Sequence, residues 1–273
     1  MRIGASVLLF EQTHIVDSVR ALADLGYKHI ELCCESPGFD YRNVTGKTVD
    51  ALISLARERG LSYTVHPHVV NTATTDPRER EYVLADYIGA ARLAARVGAP
   101  TIVVHSGERS APQVSRDEAM ASALEIIARV GEAAAEAGVG VLLENTGWRD
   151  VGILETPADL LTMREQCRSG TRLLLDTGHA VLQGFDPAEC ARLWMPHLEE
   201  IHAHDNGGIH DDHLPIGDGK IDWGQLLAEL TGAGWNGLLM IEVVGHGDPM
   251  AAITRCEDVL RKCLRGFGSR DIL

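Results

Sequence analysis

The sequence predicts one (β/α)8 TIM barrel of the α/β class, a single domain over residues 1–273, on three observations. Eight short runs rich in Val, Ile and Leu alternate with longer runs of helical period. No linker or low-complexity insert interrupts the alternation. Several helical runs stop at a glycine, the residue that best tolerates the left-handed backbone beyond a helix C-terminus. A doubly wound open sheet is the competing arrangement that such alternation also allows. The length suits a barrel folded as one unit.

Taken in order, Arg2–Ser6 is the first expected strand, followed by an amphipathic helix over Ile15–Leu25 that stops at Gly26. Tyr27–Leu32 is the second strand, with a helix over Val49–Arg59 closed by Gly60. Ser62–His66 is the third, and its helix, Arg78–Val97, ends at Gly98. Thr101–His105 is the fourth, with a long helix over Arg116–Ala137 closed by Gly138. Gly140–Glu144 is the fifth, and the helix from Pro157 to Cys167 opens on a proline well placed in a first turn. Arg172–Asp176 is the sixth, with a helix from Pro187. Leu198–Ala203 is the seventh, with a helix over Trp223–Ala233. Gly237–Ile241 and the helix Pro249–Leu264 close the series.

Lys and Arg number 25 against 39 Asp and Glu, a net charge of −14. Phosphate binding normally wants a basic face, so this balance argues against a nucleic-acid partner, although bound metal ions would offset carboxylates locally. The six cysteines include the adjacent Cys33 and Cys34 and form no CxxC, the usage of a reduced, cytoplasmic protein. The chain enters a strand at Arg2 without a signal peptide, and no run is long enough to span a membrane. A cytoplasmic location with no membrane partner is therefore expected.

In a barrel the chemistry gathers where the strands finish. The third to eighth expected strands end at His66, His105, Glu144, Asp176, His202 and Glu242, each after a largely apolar run. An acid or imidazole ending a strand that is buried on both faces is costly unless paired or metal-bound. One such residue would mean little, but six converging on one face mark a site. The stretch Ile201–Gly219, IHAHDNGGIHDDHLPIGDG, adds to it. It places His202, His204, His210 and His213 among Asp205, Asp211 and Asp212. Imidazole with carboxylate is ligand chemistry for Zn²⁺, Mn²⁺ or Fe²⁺. Alternation along the seventh strand puts Glu200, His202 and His204 on one face and Ile201 and Ala203 on the other.

The motifs are Val104-His105-Ser-Gly107, Leu143-Glu144-Asn-Thr146, Leu175-Asp176-Thr-Gly-His179-Ala180, Ile201-His202-Ala-His204-Asp205-Asn206, Asp211-Asp-His213-Leu-Pro-Ile-Gly217-Asp-Gly219 and Ile241-Glu242. In this order and spacing the chain resembles the xylose-isomerase-like TIM-barrel superfamily. That group holds sugar phosphate isomerases and epimerases, and the abasic-site nucleases of the endonuclease IV type (AP endonuclease family 2). The resemblance covers essentially the whole chain. In the epimerase branch it implies one divalent ion (Mn²⁺, Zn²⁺, Mg²⁺ or Co²⁺), held by Glu144, Asp176, His202 and Glu242, with no organic cofactor. By the same resemblance Glu144 and Glu242 exchange a proton with a ketose or ketose phosphate through a metal-stabilised enediolate, and His179 polarises the carbonyl or holds a hydroxyl. Substrate contacts are expected from His66, His105, Asn145, Trp148, His204 and Asp205.

The endonuclease branch uses three Zn²⁺ and nine ligands. Its positions are filled compatibly here by His66, His105, Glu144, Asp176, His179, His202, Asp211, His213 and Glu242. The surroundings depart from the nuclease pattern: Ala-His-Asp-Asn follows His202, Ser-Gly-Glu follows His105, and Arg42, Arg109 and Arg149 are nearly the only bases in the rim loops. The expected function is therefore sugar isomerisation or epimerisation, with abasic-site phosphodiester cleavage as the alternative. The loop Glu35–Gly46, with Phe39, Tyr41 and Arg42, is the candidate lid. The glycines of Gly217-Asp-Gly219 and Gly245-His-Gly247 are either phosphate binders or plain turn formers. Barrels of this superfamily often form dimers or tetramers, so a homo-oligomer is expected, although no segment marks an interface.

Overall fold

A computed structural model of the chain describes residues 1–147, 149–167, 170–245 and 247–265. Eight parallel strands close on themselves in sequence order: β1 (Arg2–Ser6), β2 (His29–Cys33), β3 (Ser62–His66), β4 (Thr101–His105), β5 (Gly140–Glu144), β6 (Arg172–Asp176), β7 (Leu198–Ala203) and β8 (Leu238–Ile241). Around them run α1 (Ile15–Asp24), α2 (Gly46–Arg59), α3 (Pro77–Val97), α4 (Arg116–Glu136), α5 (Pro157–Gln166), α6 (Thr177–Gln183), α7 (Pro187–Trp194), α8 (Trp223–Gly232) and α9 (Pro249–Arg265). The barrel is closed, so the open-sheet alternative does not apply. Among the described residues no helix is long and apolar enough to cross a membrane.

The helix boundaries follow from local chemistry. Thr45 and Asp76 cap the first turns of α2 and α3 with side-chain oxygens, and Ser115 with Glu118 forms a reciprocal capping box on α4. Gly60 and Gly98 end α2 and α3 in the left-handed conformation. Strand β2 starts at His29, later than the expected Tyr27. Tyr27 instead turns its hydroxyl to Glu257 on α9 at 2.8 Å. Two elements were not expected: a 3-10 turn at Val7–Phe10 and the short helix α6. The latter starts straight from β6, capped by the Asp176 carboxylate, which accepts from His179 N.

Side-chain alternation divides the strands between two cores. Ile102, Val104, Leu143, Leu173 and Leu175 face outward and pack in the large layer beneath the helices. Val103, Leu142 and Leu174 form a separate small cluster inside the barrel. One step further along each of those strands, the same inward face carries His105, Glu144 and Asp176. The period of two thus turns an apolar plug into a polar rim within two residues. Between β6 and β7 the register slips, with Leu173 opposite Leu198 but Leu174 opposite Glu200. That bulge aligns Asp176 with His202, and β4–β5 pairing aligns His105 with Glu144.

Candidate active site

At the strand C-termini opens a cavity of about 540 Å³, walled by His66, His105, Glu144, His179, Asp211, His213 and Glu242. Asp176 and His202 lie directly behind this wall, both fully buried. Carboxylates and imidazoles alternate around the cavity in a continuous arc. Glu144 Oε2 is 3.2 Å from His105 Nε2, and Glu144 Oε1 is 3.1 Å from His179 Nδ1. His179 Nε2 lies 3.1 Å from Asp211 Oδ2, which also meets His213 Nε2 at 3.3 Å. The His213 Nδ1–H donates to the Glu242 carbonyl at 3.0 Å. Glu242 Oε2 is 3.1 Å from His202 Nδ1, and His202 Nε2 is 2.9 Å from Glu31 Oε2.

The electrostatics of this arc follow from packing acids and bases out of water. Burial works against charge on His202, but the Glu242 and Glu31 carboxylates outweigh it and hold its pKa well above the usual imidazole range. His213 is similarly opposed by burial, then pushed up to about 10 by Asp211 and Glu242. Burial raises the carboxyl groups of Glu144 and Glu242, yet His105 and His202 respectively draw them well below the usual carboxylate range. Glu200 has too little compensation, and burial pushes it up to about 8. The cluster is therefore a set of anions balanced by protons on imidazole, the charge pattern that a divalent cation replaces.

Several buried polar atoms here lack a hydrogen bond of acceptable geometry, among them Glu144 Oε2, both His202 ring nitrogens and Glu31 Oε2. Their near neighbours stand at ion-pair distance without the alignment that a hydrogen bond needs. Ligand atoms of Asp176, His202 and Glu242 lie within 4.8 Å of one another, as do those of Glu144, Asp176 and His179, and those of His66, Glu144 and His202. The four expected ligands are thus linked through Asp176 and His202. Oxygen and nitrogen donors left unpaired at this spacing fit a divalent ion.

Three side chains expected at the substrate are placed beneath the cavity wall. Asn145 is fully buried, its amide exchanging hydrogen bonds with the Asp176 backbone at 2.9 and 3.1 Å. His204 turns Nε2 to both Asp176 oxygens, at 2.9 and 3.0 Å, and stacks on His213 with ring centroids 4.0 Å apart. Gly178 makes this possible, because a Cβ there would overlap the His204 ring. Asp205 ties the loop together by accepting from Gly217 N, Ile221 N and the Trp223 indole. None of the three lines the cavity: Asn145 and Asp205 are committed to hydrogen bonds, while His204 Nδ1 is buried without a partner. The Gly217 N–H is spent on that loop, and a Cβ at Gly219 would collide with Asp205 and Asn206, so these two glycines serve the turn. Trp148 and His246 lie outside the described residues.

The candidate lid reaches the cavity only at its start, through Glu35 and Ser36. Phe39 is fully buried and Arg42 is held by Asp40 at 2.8 Å. Two acids escaped the sequence reading. Glu31 sits in the inward register of β2, but two residues before the strand end. Glu108 follows β4, with Asn71 accepting from its N–H and donating to its carbonyl. Its Oε2 is buried and unpartnered in the cavity wall, and burial raises its pKa against the pull of His179 and His105. Alternation would have found Glu31; no local pattern marks Glu108.

A family model described as "Xylose isomerase-like TIM barrel" matches residues 19–263. An uncharacterized protein of Methanocaldococcus jannaschii is 28% identical over 253 residues, covering 89% of this chain and 83% of its own. A probable endonuclease 4 of Oleidesulfovibrio alaskensis is 29% identical, over 56% of this chain and 58% of its own. Among solved structures, a D-tagatose 3-epimerase-like protein superposes with a TM-score of 0.84 at 24% identity, covering 98% of both chains. L-ribulose 3-epimerase gives 0.79 at 18% identity, over 97% of this chain and 95% of its own. The IOLI protein with a bound zinc atom gives 0.78 at 16% identity, over 99% of this chain and all of its own.

Proposed function

The chain belongs to the xylose isomerase-like TIM-barrel family, and on that premise we propose that it is a divalent-metal-dependent isomerase or epimerase of a small ketose or ketose phosphate. The observation that carries this reading is that two carboxylates, Glu144 and Glu242, line one cavity and each lies in ligand groups with Asp176 and with His202. The sugar 3-epimerase names of several structural neighbours support the same substrate class.

Glu144, Asp176, His202 and Glu242 would hold the ion, whose chemistry is that of a Lewis acid: it polarises a carbonyl and eases loss of the neighbouring proton. The chain's own residues do the rest. Glu144 takes the proton from the carbon beside the carbonyl, leaving an enediolate, and passes it to solvent, while Glu242 takes up a proton from solvent and delivers it to the opposite face. The roles exchange for the reverse epimer. His179, fixed between Glu144 and Asp211, is placed to donate to the carbonyl or a hydroxyl. Glu108, whose Oε2 is buried and unpartnered in the cavity wall, hydrogen-bonds a hydroxyl further along the substrate. Mn²⁺-loaded protein incubated with D-tagatose, D-allulose and L-ribulose should convert at least one to its C3 epimer or aldose isomer, read by chromatography.

The phosphodiesterase reading has one observation in its favour: all nine endonuclease-type positions are drawn into or directly behind one cavity wall. Metal content separates the two. About one tightly held divalent ion per chain and no cleavage of an abasic-site duplex supports the sugar reading. Two or three zinc ions with cleavage reverses it.

A further inference from the structure

We infer that Glu31 is the positioning residue for His202: it holds the proton on Nε2 and so keeps Nδ1 free to ligate a metal ion. This rests on the metal-site reading above. The His202 ring is shared between two carboxylates, Glu31 on β2 and Glu242 at the end of β8, one at each ring nitrogen. Its Nδ1 faces Glu242 Oε2 at 3.1 Å, and Glu242 is grouped with it and Asp176 as possible ligands. Its Nε2 faces Glu31 Oε2 at 2.9 Å. A neutral imidazole that ligates through one nitrogen carries its proton on the other, and an acceptor there fixes both tautomer and ring orientation.

The surroundings leave Glu31 this task. It is fully buried, and a carboxylate so placed needs a partner. Among the described residues the one side-chain hydrogen bond to Glu31 comes from the Cys33 thiol, a weak donor 4.0 Å from Oε1 and itself 3.4 Å from Ser6 Oγ. Glu200 is a poorer acceptor for Nε2, at 3.8 Å, and the Thr64 hydroxyl holds its Oε2 at 3.1 Å. The pairing is also long-range: β2 lies across the barrel from β7, so the contact depends on closure rather than on neighbouring strands.

The test uses Co²⁺ as the probe on full-length, chelator-stripped protein, with Glu31→Gln as an isosteric variant and His202→Gln as a control for where the ion sits. We expect wild type to bind Co²⁺ tightly and Glu31→Gln to bind about 10–100-fold more weakly with its Tm held. His202→Gln should lose binding by at least as much. In Zn²⁺-loaded wild type, ¹⁵N NMR should report the Nε2–H tautomer at His202. A Glu31→Gln protein that binds Co²⁺ within twofold of wild type overturns the inference while leaving the metal site intact. So does a His202→Gln protein that binds like wild type. Wild type that takes up no Co²⁺, Mn²⁺ or Zn²⁺ overturns the metal-site reading, and this inference with it.

Discussion

Glu144 and Glu242 present their carboxylates to the cavity from β5 and from the end of β8, behind which Asp176 and His202 are shared. Replacing either by Gln keeps the shape and removes the base, so turnover should fall by about 10²–10⁴-fold with little change in Tm. Steady-state kinetics and a thermal melt check this together. Glu108, proposed to meet the substrate away from the reacting carbon, should act differently. Glu108→Ala should raise KM by roughly tenfold, the worth of one lost hydrogen bond, and leave kcat within a few-fold. The histidines set the pH response. His202 and His213 have pKa values raised above 6.5, so in stripped protein they are protonated at neutral pH. Binding a metal at His202 must displace a proton, and apparent affinity should rise from pH 6 to pH 8. For the stripped protein the sign is opposite. The contribution of His213 to stability is fully present below pH 6.5 and is lost as pH rises through about 10. Melts of stripped and loaded protein across this range read both trends.

At the scale of the element, what was legible and what was not have separate physical causes. Strands β4 to β6 announced themselves because each is a largely apolar run ending in a histidine or an acid, a contrast that burial on both faces enforces. The short helix α6 was hidden because it starts with no break after β6: its cap, Asp176, is also the last strand residue and a candidate ligand. Residue type alone also did not show how Asn145, His204 and Asp205 are held. Polar residues after a strand read as substrate contacts, and these three also make hydrogen bonds across sequence gaps that no local pattern marks. The β6–α6 turn has little room for change. Gly178→Ala should push the His204 ring off Asp176, lowering stability by about 1–3 kcal/mol and weakening metal binding. Denaturant unfolding and a Co²⁺ titration would register the two effects separately.

Over the whole molecule the charge distribution carries the argument for a small substrate. A net charge of −14 disfavours a polyanionic duplex, and the cavity of about 540 Å³ is of small-molecule size. Closure of the barrel brings β2, β5 and β8 to one floor, a meeting that the sequence could imply only through the eightfold alternation. The central claim, proton transfer at the carbon beside a ketose carbonyl, is tested most directly by solvent deuterium. Metal-loaded protein in D₂O should place deuterium at that carbon of a ketose that it turns over, and Glu144→Gln should suppress the exchange. A protein that holds its metal yet leaves every ketose and ketose phosphate of a broad panel unlabelled would contradict the account.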